Sequence, residues 1–273
     1  MKNIKTYNTE HFYKTKKIKR IVFGILAVSI VLAVIVFTRM YKAIMYPNTT
    51  TTNQDAVSLY IFSDDDFDIV KERLYSDSII VNKKSFEWLA KKLDYPEYIK
   101  SGHYVITNGM NNNQLLNKLR SGSQTPIDFT FNNIRTIEQF AKEVDEQLEM
   151  DSTSFLEALN NNAEVKQMGF DKDNIASLFI PNTYELYWNI DADEFIDKMA
   201  KEYKKFWNEE RMGKSEKIGL SPIDVSILAS IVDKETNKTS EMPRIAGVYL
   251  NRLKKNWLLQ ADPTLVFAID RKS

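Results

Sequence analysis

Hydrophobic and polar positions alternate in three textures along the chain, and each predicts a different kind of element. Ile21–Phe37, IVFGILAVSIVLAVIVF, runs seventeen residues without a charge. At about 1.5 Å per residue it is near the minimum length for crossing a bilayer core. Met40, Tyr41, Met45 and Tyr46 extend it into the interface, where Arg39 and Lys42 can snorkel. The run predicts a retained single-span anchor over 21–41. A core helix is rarely apolar all round, and no small-x-small cleavage site follows. Pro47–Asp55, PNTTTTNQD, is polar and unpatterned and reads as a linker.

Beyond it the spacing predicts a compact α+β region. Val57–Phe62 alternates like a strand, and Asp64–Asp66 offers an N-cap to a helix with Phe67, Val70 and Leu74 on one face. Phe86, Leu89, Ala90 and Leu93 have helical spacing within Lys84–Leu93. Ser101–Gly109 reads as turn, strand and turn, and a helix carrying Leu115, Leu116 and Leu119 closes at Ser121-Gly122. Pro126–Phe131 alternates as a further strand. From Ile134 onward the pattern is mainly helical, with stripes at Ile137, Phe140, Ala141, Val144 and Leu148, at Phe155 and Leu159, and at Phe195, Ile196, Met199 and Phe206. The expected fold class is therefore α+β: an N-terminal transmembrane helix, a small α+β domain over 56–123, and a mainly helical α+β domain over 124–273.

Composition narrows the chemistry. The chain has no cysteine and only two histidines, His11 and His103, so thiolate chemistry is excluded and a polyhistidine metal centre is disfavoured. Carboxylates, hydroxyls, lysines and arginines must do the work, with no cofactor and no metal expected. The 37 basic and 37 acidic residues cancel, which gives no reason to expect nucleic acid as a partner. They are not evenly spread. Residues 1–20 hold seven basic residues against Glu10, a net +6, and the remainder carries −6. The positive-inside rule then puts this basic tail in the cytoplasm and everything after residue 46 outside.

Ser221-Pro222-Ile223-Asp224 is a strong helix start, with a hydroxyl cap, proline at the first position and an acid in the first turn. On a helical wheel with Ile223 at zero, Ile231, Leu228 and Val232 fall at about 80°, 140° and 180°. Glu235 falls at about 120°, inside that stripe, and Asp233 at about 280°, opposite. A carboxyl held against apolar neighbours disfavours ionisation, which suits a general acid. The plainer alternative is that Glu235 ends the helix and escapes to solvent. A second helix is expected from Ser240, with Glu241 and Pro243 in its first turn and Ile245, Val248, Tyr249 and Leu253 buried. Arg252 shares that azimuth, so it needs a carboxylate, Glu235 or Asp262, or a substrate contact. Leu259–Thr264 is a polar loop in an apolar context and suits a cleft wall.

LASIVDKET (Leu228–Thr236), GVYLNRL (Gly247–Leu253) and LQADPT (Leu259–Thr264) together resemble the YceG-like endolytic lytic transglycosylases of bacterial cell walls, the MltG family. Ile180-Pro181-Asn182-Thr183-Tyr184 is similar to that family's F-P-D-T-Y block, with Asn182 where aspartate is common. Ser101–Gly122 resembles its LysM-like region. The likeness extends over roughly 57–269.

The resemblance implies a membrane-anchored enzyme that cleaves the bond between N-acetylmuramic acid and N-acetylglucosamine, leaving 1,6-anhydro ends and trimming or terminating glycan strands. Glu235 would be its single acid and base, with Arg252, Asn251, Gln260, Asp262, Thr264, Tyr184 and Thr183 supporting or binding substrate. Its partners would be peptidoglycan glycan strands, the membrane and cell-wall synthases, with the catalytic domain on the outer, periplasmic side of the cytoplasmic membrane. The family's E-K-E block begins here with Asp233. Relatives continue past the point equivalent to Ser273, so the catalytic domain is expected to be truncated at its C-terminus. Two other readings fit the same residues: a tethered peptidoglycan-binding scaffold, and a hydrolase using Glu235 with Asp262 or Asp233 as second carboxylate.

Overall fold

The computed structural model describes residues 3–51 and 54–270, with side chains described for Lys17, for 19–51 and for 54–269. Most of the basic tail's side chains, and Thr52 and Asn53 of the expected linker, lie outside the described residues. Helix α1, Asn3–Met45, is continuous through the basic tail and the apolar run. Its Lys19–Met45 portion, with mean hydropathy 3.0, is long and apolar enough to cross a membrane; the apolar run is exposed, and at its end Ile44 packs against the first unit.

The chain divides into two compact units, residues 1–125 and 126–273. In the first, strand β1 (Ala56–Ile61) pairs antiparallel with β2 (Gly102–Thr107), in register from Ala56 opposite Thr107 to Ile61 opposite Gly102. Between them lie helices α2 (Phe67–Ser76) and α3 (Lys83–Lys92) and a 3-10 turn at Tyr95–Glu97; α4 (Asn112–Ser121) follows. The expected faces are the buried ones. Asp66 caps α2 by accepting from the backbone of Asp68 and Ile69, and Phe67, Val70 and Leu74 enter the core. Gly122 ends α4 in the left-handed conformation that only glycine adopts freely.

The described part of Pro47–Asp55 includes three buried residues. Asn48 is 4% exposed, and Thr49 and Thr51 are also buried. Thr49 donates to the Thr107 carbonyl at 2.8 Å, and Thr49 and Pro47 form isolated bridges with Ile80 and Asn111. The polar groups of Asn48, Thr49 and Thr51 exchange water for fixed partners.

The second unit opens with β3 (Ile127–Phe131), followed by α5 (Ile137–Gln147), α6 (Ser152–Asn161) and α7 (Ala163–Gln167). Strand β4 (Asn182–Leu186), which was not among the expected elements, pairs antiparallel with β3, Ile127 opposite Leu186. Helices α8 (Ala192–Phe206), α9 (Glu209–Ile218), α10 (Pro222–Glu235), α11 (Met242–Lys254) and α12 (Asp262–Asp270) complete it. An aromatic core fills the space between the sheet and α5, α6 and α8. Phe140 meets Phe131 edge-on at 4.8 Å, and Phe129 meets Phe195 at 5.4 Å.

A separate, smaller apolar cluster gathers Leu228, Ile231 and Val232 of α10 with Tyr249 of α11 and Ala261. Helix α11 starts two residues later than expected, at Met242 with Glu241 as its cap residue. Of its expected stripe only Tyr249 is buried; Ile245 is half-buried, while Val248 and Leu253 are 49% and 38% exposed. The side of α11 that meets α10 carries Ile245, Ala246, Tyr249 and Leu250, so the contact face is rotated from the expected one.

Candidate active site

The site is built at the end of α10. Its start is fixed by a capping box: Ser221 Oγ accepts from the Asp224 backbone at 3.1 Å, and Asp224 Oδ2 accepts from the Ser221 backbone at 3.1 Å. With Pro222 at the first position, the register of the helix is set, and Leu228, Ile231 and Val232 turn into the small core. Glu235 is the last helical residue. Thr236 then breaks away in an extended conformation, and its hydroxyl donates to Glu241 Oε2 at 3.1 Å, tying the link to the start of α11.

Glu235 is exposed rather than held against apolar neighbours. The wheel places its azimuth on the buried stripe, but Glu235 is the last residue of the helix and lies past the apolar cluster, so the expectation of an apolar surround is corrected. What distinguishes it from Asp233 is a partner. The Tyr249 hydroxyl donates to Glu235 Oε1 at 2.7 Å, whereas Asp233 is exposed and pairs with the neighbouring Lys234 at 3.4 Å. Tyr249 is 6% exposed, with its ring in the apolar cluster and its phenol at the edge. Burial, and then the bond and charge of Glu235, push that phenol up to about 12; Asp262 acts in the same direction and Arg252 against it. Those four side chains therefore share one electrostatic neighbourhood. Tyr249 escaped the sequence reading as a functional residue, although a phenol on an apolar stripe always needs a hydrogen-bond partner.

Arg252 makes no ion pair with Glu235 or Asp262 among the described residues. Its Nη1 donates instead to the Leu259 carbonyl, so the expected carboxylate partner is replaced by backbone. This strap shapes the following loop. Asn256 and Gln260 both take left-handed backbone conformations, Ala261 is buried in the small cluster, and the Ala261 carbonyl accepts from Thr264 Oγ1 at 2.6 Å and from its backbone at 3.1 Å. Gln260, Asp262 and Thr264 are exposed along it, with Asp262 in the first turn of α12. Asn251 is exposed on α11.

Tyr184 and Thr183 lie on strand β4. Tyr184 is buried in the aromatic core, stacked on Phe131 at 5.8 Å, and its hydroxyl donates to the Ile180 carbonyl at 2.5 Å. Thr183 is exposed and pairs across the strands with the Thr130 hydroxyl at 2.8 Å.

The endolytic murein transglycosylase of Bacillus subtilis (strain 168) is 21% identical over 234 residues, 79% of this chain and 64% of that protein. The protein of the same name from Streptococcus pneumoniae serotype 2 (strain D39 / NCTC 7466) is 26% identical over 210 residues, 67% of this chain and 38% of that protein. The chain thus spans less than two thirds of the length of these curated relatives. The crystal structure of a yceG-like protein from Listeria monocytogenes is similar at a TM-score of 0.49 and 21% identity, covering 79% of this chain and 76% of that one. The model of the YceG-like family matches residues 59–273, most of the sequence and both compact units, and the chain belongs to that family.

Proposed function

We propose that this protein is a membrane-anchored endolytic lytic transglycosylase of peptidoglycan, with Glu235 as its single acid and base. The observation that carries the reading is the Glu235–Tyr249 pair: an exposed carboxyl at a helix end, held by one buried phenol. In this reading Glu235 protonates the oxygen between N-acetylmuramic acid and N-acetylglucosamine, and the bond to C1 breaks with its electron pair going to that oxygen. The C6 hydroxyl of the muramic residue attacks C1, and its proton returns to the Glu235 carboxylate. A 1,6-anhydro end forms and no water is consumed. One carboxyl can serve both steps because the substrate supplies its own nucleophile.

The apolar, unpacked portion of α1 supports anchoring, and the net +6 of residues 1–20 supports a cytoplasmic N-terminus. Residues 56–123 of the first unit, strands β1 and β2 with helices α2, α3 and α4, are the LysM-like glycan-holding part in this reading, and Arg252, Asn251, Gln260, Asp262 and Thr264 shape the cleft wall.

Digestion of purified peptidoglycan followed by mass spectrometry tests it. Anhydro-muramoyl ends are expected. Reducing ends would identify a hydrolase, and intact strands a binding scaffold.

A further inference from the structure

We propose that Tyr249 is a positioning residue that divides the labour of the Glu235 carboxyl, fixing Oε1 and leaving Oε2 as the oxygen that gives and takes the proton. The inference rests on the transglycosylase reading and deepens it. A glutamate at an exposed helix end is free to change rotamer, and a general acid gains rate only when its proton is held within hydrogen-bond reach of the leaving oxygen. Here the constraint comes from a rigid group. The Tyr249 ring is locked among Leu228, Ile231 and Val232, and its hydroxyl reaches Glu235 Oε1 at 2.7 Å, the range of a charge-assisted bond.

The protonation logic follows from the same contact. With its ionisation pushed up to about 12, the phenol keeps its proton at neutral pH and stays a donor through the whole cycle. A donated O–H makes Oε1 an acceptor, so in the acid form the carboxyl proton resides on Oε2. The same oxygen, once deprotonated, receives the proton of the C6 hydroxyl. Tyr249 transfers no proton itself. Burial and the bond to Glu235 keep the phenol neutral; the Arg252 charge acts against them and the Asp262 charge with them.

Tyr249→Phe in the full chain is the test, because it removes the hydroxyl and keeps the ring in the cluster. Rates of anhydromuropeptide release are measured beside Glu235→Gln. We expect kcat to fall about tenfold to a hundredfold with KM essentially unchanged. In Glu235→Gln the Tyr249 phenol, followed by NMR of labelled tyrosine, should ionise at lower pH than in the parent. If Glu235→Gln is inactive while Tyr249→Phe cleaves with the parent's kcat, the positioning role is overturned and the transglycosylase reading stands. A loss matched by a fall in melting temperature, or a Tyr249 phenol that titrates alike in Glu235→Gln and the parent, also overturns it. An active Glu235→Gln overturns both.

Discussion

Asn48 donates through Nδ2 to Oδ1 of Asn112 at 2.7 Å, and both side chains are buried. Asn112 passes the contact on, donating to the Ala43 carbonyl of α1 at 2.8 Å and to Ser85 Oγ of α3 at 3.0 Å. Asn48 Oδ1 in turn accepts from the Asn82 backbone at 2.7 Å. One amide network therefore joins the end of the long apolar helix to the first residues of α3 and α4. The segment after the apolar helix is thereby a rigid connection rather than a leash.

Removing one member of this network leaves buried groups without partners. Asn112→Ala strands the Ala43 carbonyl and one Asn48 amide proton, and each such group costs about 1–3 kcal/mol. We expect a destabilisation of about 2–4 kcal/mol in urea unfolding. Asn48→Ala should have an effect of similar size, and the double variant should cost clearly less than their sum. A variant that unfolds at the parent's urea concentration would show that water replaces the network.

The contrast between α2 and this network shows what the sequence can disclose. Asp66 and the spacing of Phe67, Val70 and Leu74 are local signals, and they specify the helix and its buried face within nine residues. Asn48 is read as solvated polarity because its partners lie 34 and 64 residues away. Strand β4 stays hidden for the same reason, since Asn182–Leu186 gains meaning only from β3 more than fifty residues upstream. At the site, the capped start of α10 and the azimuth of Glu235 are legible. The exposure of Glu235, the backbone partner of Arg252 and the uncovered Val248 and Leu253 depend on how α10, α11 and the loop meet, which periodicity does not encode.

Arg252 is held by one half-exposed bond to the Leu259 carbonyl, not by a buried ion pair. The cost of Arg252→Ala should accordingly be that of a single charged hydrogen bond, about 1–2 kcal/mol, rather than the 3–5 kcal/mol of a broken buried pair. Activity should fall further than stability, since the loop bearing Gln260, Asp262 and Thr264 loses its strap. Thermal melting and cleavage assays of the same sample separate the two effects. A loss of stability above about 3 kcal/mol would contradict the strap geometry.

Three buried tyrosines set an alkaline limit on stability. Burial pushes Tyr104 of the first unit and Tyr184 and Tyr203 of the second up to about 12. Their ordinary value is about 10. Below pH 10 both folded and unfolded chains keep the proton, and the contribution is complete. Between about 10 and 12 the unfolded chain ionises first, so stability falls as pH rises through that window. Urea midpoints taken from pH 9 to 12 should decline most steeply there, and Tyr184→Phe should shallow the decline. A flat profile to pH 12 would contradict burial of these phenols.

Orientation has a direct measurement. With a net +6 ahead of the apolar run and −6 behind it, a reporter fused after residue 60 should be active only outside the membrane. A cytoplasmic signal there would remove the enzyme from its proposed substrate.

The two acids of the α10 terminus make opposite predictions. Glu235 alone has a buried donor, the Tyr249 phenol, and it stands where the helix opens to solvent. Glu235→Gln is nearly isosteric and can still accept that bond, so folding should be preserved, but the amide has no acidic proton to give. Release of anhydromuropeptides should fall by at least about 10²–10⁴-fold, the usual worth of a positioned proton transfer. Asp233 pairs with Lys234 at 3.4 Å, with both side chains more than half exposed. An ion pair of that kind contributes about 0–1 kcal/mol, so Asp233→Asn should melt like the parent and keep a substantial part of its activity. Mass spectrometry of digests from both variants gives the comparison in one experiment. If Asp233→Asn were inactive and Glu235→Gln active, the assignment of the acid would have to move to the opposite face of α10, away from Tyr249.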